Sequence, residues 1–135
     1  MELRSVEELM DLLYACPYDP ALRTAALLRR ARPADKELQV AGLVSGIGRL
    51  LGPADRAGQA QAAARAVRPL LGERVHRLVR GQPGDDGPTA DDDLLRLHQA
   101  AEEGALVAFD AGVLEDWRTV LELVAARNSR LGAVD

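Results

Sequence analysis

Two histidines, His76 and His98, one cysteine, Cys16, and twenty-one carboxylates are the side chains that could hold a metal or carry catalysis. A transition-metal site commonly places His, Cys or Asp ligands three or four residues apart on one helix face. His76 and His98 lie in different segments, and neither has a His, Cys or Asp at that spacing. No metal and no cofactor is expected. Asp85-Asp86-Gly87 followed by Asp91–Asp93 evokes a calcium loop, but the D-x-D-x-D-G register with a later Glu is absent. Cys16 precedes Pro17 on a face that reads as apolar, where a thiol behaves as a small hydrophobe rather than as an activated thiolate. Glu7/Glu8 and Glu102/Glu103 are adjacent, so they diverge by about 100° on a helix and cannot face each other as acid and base. No G-x-S-x-G elbow occurs. The chain is expected not to be an enzyme.

Phosphate recognition has two candidates. Arg56, Arg65, Arg68, Arg74, Arg77 and Arg80 meet one acid within their span, Glu73. They project to more than one side of their helices and no aromatic is interleaved, which speaks against single-strand stacking. Contact with duplex phosphates stays open. Ser45-Gly46-Ile47-Gly48 resembles the hairpin of helix-hairpin-helix DNA-binding motifs, over about a dozen residues. The resemblance implies backbone N–H groups offered to a phosphate. Pro53 departs from it, falling inside the would-be second helix. The competing account makes Gly46 and Gly48 interior helix positions, with Gly42 and Gly46 permitting close helix approach.

That competing account comes from a tandem repeat. Residues 33–52, PADKELQVAGLVSGIGRLLG, are followed by residues 53–72, PADRAGQAQAAARAVRPLLG. Asp35 and Asp55 are good N-caps, because a short carboxylate accepts from free N–H groups of the first turn. Gly52 and Gly72 stand where a glycine often closes a helix. Each unit predicts one helix of about 16 residues. Their short joint favours antiparallel neighbours. Two units are too few for a solenoid.

Other elements follow from punctuation and periodicity. Ser5-Val6-Glu7-Glu8 fits a capping box, and Val6, Leu9, Met10, Leu13 and Cys16 share a helical face. Asp19-Pro20 opens a second helix, which Pro33 closes. Pro69 is expected to kink or shorten the second repeat helix. Val75, Leu78 and Val79 predict a short helix to Arg80. Residues 81–90 read as a flexible loop, with Thr89 capping the next helix. Residues 105–109 fit either its last turn or a short extended piece, and the helical turn is preferred. Leu114, Trp117, Leu121, Val124, Asn128 and Leu131 then fall at alternating 3-4 spacing, a seam that packs a helix within a bundle or across a dimer.

The predicted fold is all-α: one compact domain, residues 1–135, of five to seven helices built from antiparallel hairpins. Only four residues are aromatic, Tyr14, Tyr18, Phe109 and Trp117, so little bulk is left to frame a deep pocket. No apolar run is long enough to span a membrane. The N-terminus lacks a signal-peptide apolar region, and a lone cysteine forms no internal disulfide. A cytoplasmic protein is expected.

The net charge of −4 is unevenly spread. Residues 1–16 carry −3, residues 17–81 carry twelve bases and five acids, +7, and residues 82–135 carry four bases and twelve acids, −8. Oppositely charged parts then either face each other within the fold or meet a charged partner. The function expected is a non-enzymatic helical interaction module: a small regulator, adaptor or chaperone-like protein. Its partner is another protein or a second copy, with homodimerisation through residues 113–131. The alternative is sequence-nonspecific nucleic-acid binding through residues 56–80.

Overall fold

In the computed structural model, residues 2–15, 19–51, 55–81 and 88–133 are described, although the side chains of residues 19, 88–90 and 130–133 are not. The expectations placed on Cys16, Pro17, the joint 52–54 and the carboxylates at 85–86 lie outside these residues, as do the side chains of Thr89 and Leu131. The described chain is all-α, without a strand. Its helices are α1 Val6–Ala15, α2 Asp19–Ala31, α3 Lys36–Val44, α4 Gly48–Leu51, α5 Arg56–Leu71, α6 Glu73–Arg80, α7 Pro88–Leu106 and α8 Arg118–Ala133. Setting aside the single turn of α4, seven helices form the described fold, the upper end of the expected number. None is long and apolar enough to cross a membrane.

The centre is α3. Every residue from Leu38 to Val44 is buried, as suits a helix apolar all round. It touches α2, α6, α7 and α8. Gln39 is its one polar residue in this stretch; its Nε2 donates to the carbonyls of Arg32 (2.8 Å) and Pro33 (3.2 Å), pinning the α2–α3 turn. Asp35 caps α3 by accepting from Leu38 N at 3.1 Å, and Asp55 caps α5 by accepting from Gly58 N at 2.8 Å. Both caps agree with the repeat.

The first unit nevertheless departs from the continuous helix predicted for it. A 3₁₀ turn, Ser45–Ile47, separates α3 from α4. Ser45 Oγ donates to the Gly42 carbonyl at 2.9 Å, and the backbone turns so that Gly48 lies directly against α5. A Cβ on Gly48 would stand 2.0 Å from the Gln59 carbonyl oxygen. The repeat helices are therefore not simple antiparallel neighbours. The main neighbours of α5 are α4, the 3₁₀ turn, α6 and α8, whereas α3 packs chiefly on α2 and α6. The hairpins are α2 with α3 and α5 with α6, each a consecutive pair joined by a short turn.

Pro69 does not shorten α5, which reaches Leu71 and closes at Gly72 with φ 97°. In that last stretch the Leu3 amide donates to the Ala66 carbonyl at 2.8 Å, fastening the N-terminal segment to α5. Helix α7 begins at Pro88, so Thr89 is inside it rather than its cap, and residues 88–90 are helical rather than part of the expected loop. It passes through Gly104 to Leu106. Residues 107–113 are not helical, correcting the assignment of Val107–Phe109 to the last turn. Its contact with α2 is reinforced by Arg23 Nε, which donates to the Gly104 carbonyl at 2.6 Å. The Trp117 segment starts as a 3₁₀ turn, Leu114–Trp117, before α8. Trp117 is fully buried, with the Arg29 guanidinium 4.8 Å above its ring.

Candidate interaction surfaces

The six arginines of the basic segment are dispersed. Arg74, at the start of α6, turns inward to the N-terminus of α3. It donates to Asp35 through two bonds of 2.6 and 2.8 Å, to Glu37 at 3.3 Å and to Asp93 of α7 at 3.1 Å. Asp93 is almost wholly buried and also receives Arg32 at 3.5 Å, while Arg32 meets Asp92 at 3.1 Å. A bidentate guanidinium–carboxylate pair fixes both partners in orientation as well as position. The consequence is visible in protonation. The Arg74 hydrogen bonds hold the Asp35 carboxyl below its ordinary value, and Asp35 in turn raises Arg74. Two arginines of the basic middle are thus answered by acids of α3 and of the acidic C-terminal half.

A cleft of about 570 Å³ opens beside this network, with Arg32, Lys36, Arg74 and Arg127 among its lining residues. Asp35 and Glu37 line it too, and Asp92 and Asp93 back its arginines. The four cations and four carboxylates around the cleft sum to zero net charge. The site is built as an ion-pair junction joining α2, α3, α6 and α7.

The other arginines do not converge. Arg56 lies on one side of α5 and shares a cleft with α7. Arg65 stands nine residues later, on the opposite side of the helix, and is exposed. Arg68 pairs with Glu73 at 2.8 Å. Arg77 and Arg80 are half-buried on α6. The Ser45–Gly48 turn offers little to a phosphate, because Gly46, Ile47 and Gly48 are buried.

From Leu114 to Val124 the Trp117 seam faces inward. Trp117, Leu121 and Val124 are buried in the chain's own core, and Leu114 packs at its edge. Asn128 Nδ2 donates to the carbonyls of Pro69 (2.9 Å) and Leu70 (3.2 Å), capping the end of α5. A second tie comes from Arg118, which bonds Glu115 at 2.6 Å and also Glu7 of α1; Tyr14 of α1 donates to Glu115 at 2.8 Å.

His76 is buried on α6, and burial lowers its pKa, with Arg68, Arg77 and Arg80 acting in the same direction against Glu73. His98 is exposed on α7. Among the described residues no group of three or more His, Cys, Asp or Glu is placed to hold a metal ion.

One surface was missed by sequence reasoning. Leu106, Val107 and Val113 bracket the non-helical segment after α7 and are 83%, 51% and 60% exposed. Three large apolar side chains within eight residues are thus left uncovered by the rest of the described chain. The signal was present in the apolar run Ala105–Phe109, which the helical reading absorbed.

Comparison of the chain with known protein families, with curated proteins and with solved structures finds no match. The fold and its surfaces alone define it: an all-α helical protein with an ion-paired junction at one end of α2 and an exposed apolar segment after α7.

Proposed function

We propose that the chain is a non-enzymatic helical protein-interaction module, a small regulator, adaptor or chaperone-like protein, whose contact surface centres on the segment following α7. The observation that carries this reading is the uncovered apolar trio Leu106, Val107 and Val113. Uncovered clusters of apolar side chains mark protein contacts more often than they mark chemistry. The ion-pair junction supports the same reading by removing Arg74 from any phosphate-binding face.

A photo-crosslinking side chain at position 107 or 113, with position 65 as an exposed control, tests it. Protein adducts are expected from 107 and 113 and not from 65. Equal labelling at all three positions refutes a dedicated surface. Nucleic-acid binding is the second reading, favoured by exposed Arg56 and Arg65, for which no ion pair is formed among the described residues. Anisotropy of a labelled DNA duplex decides it. Binding that falls steeply with salt, and is lost when Arg56, Arg65 and Arg68 become Gln, would put nucleic acid first.

A further inference from the structure

Helix α7 is the longest of the described helices, and one side of it is covered by nothing among the described residues. Its inner side, with Asp93, Leu94, Leu97, Ala100 and Gly104 buried, packs on α2, α3 and α6. The opposite side runs Leu95, Gln99, Glu102, Leu106, at i, i+4, i+7 and i+11, and all four are exposed. Leu95 is 56% exposed and Leu106 is 83% exposed. Eleven residues make about three turns, so the two leucines point within about 20° of one direction, roughly 16 Å apart along the axis. A helix ordinarily turns apolar residues at such spacing toward a packing partner.

The charge along this side has one sign. Asp91, Glu102 and Glu103 are exposed, and among the described residues no cation pairs with any of them. Glu102 lines a cleft shared with Arg49 and Arg56 but forms no ion pair across it. The arginines that reach this region from α2 are already engaged: Arg32 with Asp92 and Asp93, Arg23 with the Gly104 carbonyl, and Arg30 over the Phe109 ring at 5.3 Å. Arg96, the one basic residue of α7 itself, is half-buried.

An occupant must supply what this side lacks: an apolar contact for each leucine and positive charge for the carboxylates between and beside them. A second copy supplies only the first. Two α7 helices laid antiparallel about a twofold axis would set Leu95 opposite Leu106. They would also bring Glu102 of one copy within a turn of Glu102 of the other, with six unpaired carboxylates, three from each copy, along one seam. Nucleic acid and anionic lipid fail at this face for the same reason of sign. A helix that carries Lys or Arg beside an apolar stripe meets both needs. We propose that the outward side of α7, from Leu95 to Leu106, is the docking face for a basic amphipathic helix of another protein. This rests on the reading of the chain as a protein-interaction module; it extends the contact surface along α7 and names the chemistry of the partner.

Fluorescence anisotropy of labelled helical peptides about as long as α7 tests it. The first peptide sets leucines on one face with lysines beside them. A second has the same residues in scrambled order, and a third has glutamate in place of each lysine. The first is expected to bind the native chain roughly tenfold or more tightly than either of the others. Leu95→Ser and Leu106→Ser, at exposed positions where folding is not at stake, should each weaken that binding by about fivefold or more. Changing Glu102→Lys together with Glu103→Lys should reverse the preference, so that the glutamate peptide binds and the lysine peptide does not. Far-UV circular dichroism confirms that each variant is folded.

Equal binding of the first and scrambled peptides overturns the proposal. So does binding that both leucine changes leave intact, because net charge alone then accounts for it. Self-association of the native chain in sedimentation velocity, abolished by Leu95→Ser, would make the second copy the occupant and overturns it as well. Failure of the peptides alongside specific protein adducts from positions 107 and 113 removes this partner and keeps the interaction module. Labelling without preference among positions 107, 113 and 65 removes the module itself.

Discussion

Replacing Arg74 with Met should destabilise the protein more than replacing any other arginine of the basic segment, and should invert part of its response to acid. The guanidinium makes four bonds of 2.6 to 3.3 Å to Asp35, Glu37 and Asp93. Hydrogen bonds to charged groups contribute about 1.5–3 kcal/mol, and stranding a fully buried charge costs about 3–5 kcal/mol. Two features moderate the loss. Asp35 keeps the Leu38 amide, and Asp93 keeps Arg32 at 3.5 Å. The Arg74 side chain is 31% exposed, so solvent screens the remainder. The net expectation is about 2–3 kcal/mol, a fall in Tm of roughly 10 °C for a chain of this size. Arg65→Met, at an exposed position, should stay within about 0.5 kcal/mol.

The acid response gives an independent sign. In the native protein Asp35 has a depressed folded pKa. Its contribution is therefore complete above the ordinary carboxylate value and is lost as pH falls through the depressed one. Without Arg74, three carboxylates cluster with less cationic compensation, and like charges raise one another's pKa. Mild acidification should then stabilise Arg74→Met relative to neutral pH while leaving the native protein no more stable. The assay is urea unfolding followed by the emission of the single tryptophan, which is fully buried. Arg74→Met indistinguishable from Arg65→Met, or an acid response parallel to the native one, would refute the reasoning.

Four further outcomes are expected. Gly48→Ala should destabilise by about 2–3 kcal/mol, because the new Cβ would meet backbone atoms of Gln59 at 2.0 and 2.6 Å. Gly42→Ala should be near neutral in the same urea melts: its Cβ meets the side-chain ends of Leu28 and Thr24 at 2.9 and 3.0 Å, and helix propensity returns up to about 1 kcal/mol. Asn128→Asp should cost about 1–2 kcal/mol in thermal melts at neutral pH, since a carboxylate would face two carbonyls that now receive an N–H. His76 should titrate below the ordinary histidine value by NMR. Its depressed folded pKa means that stability present above the ordinary value is lost as pH falls through the depressed one, and His76→Gln should flatten that loss.

The elements set by local chemistry were the legible ones. Asp35, Asp55 and Gly72 bound their helices because a cap acts within one turn, and α5 runs over the residues its punctuation predicted. At the break between α3 and α4 the hairpin resemblance of Ser45–Gly48 marked a turn and the repeat marked a continuous helix; the close contact of Gly48 with Gln59, eleven residues later, is not visible to either local pattern. Burial of α3 on all sides did leave a trace: Leu38–Gly48 contains no charged residue. The 3-4 spacing around Trp117 correctly marked a packing face, but periodicity carries no information about which helix fills it. Arg74 and Arg77 look alike in sequence. Only the arrangement of α3 and α7 makes Arg74 the junction of three carboxylates. The apolar segment after α7 was hidden because an apolar run reads the same whether it is covered or not.

Enclosure of α3 by four other helices has a kinetic consequence. Its backbone amides can meet solvent only when several of those neighbours have left, so their exchange with deuterium should track the full unfolding free energy. The N-terminal segment, held to α5 through the Leu3 amide, places Leu3, Leu9 and Met10 in the same core but packs against fewer helices, and should exchange by a shallower route. Helix α1 and the amides Val40–Val44 would then report two different openings of one molecule. Events at the rim could occur many times in the interval between successive exposures of the middle.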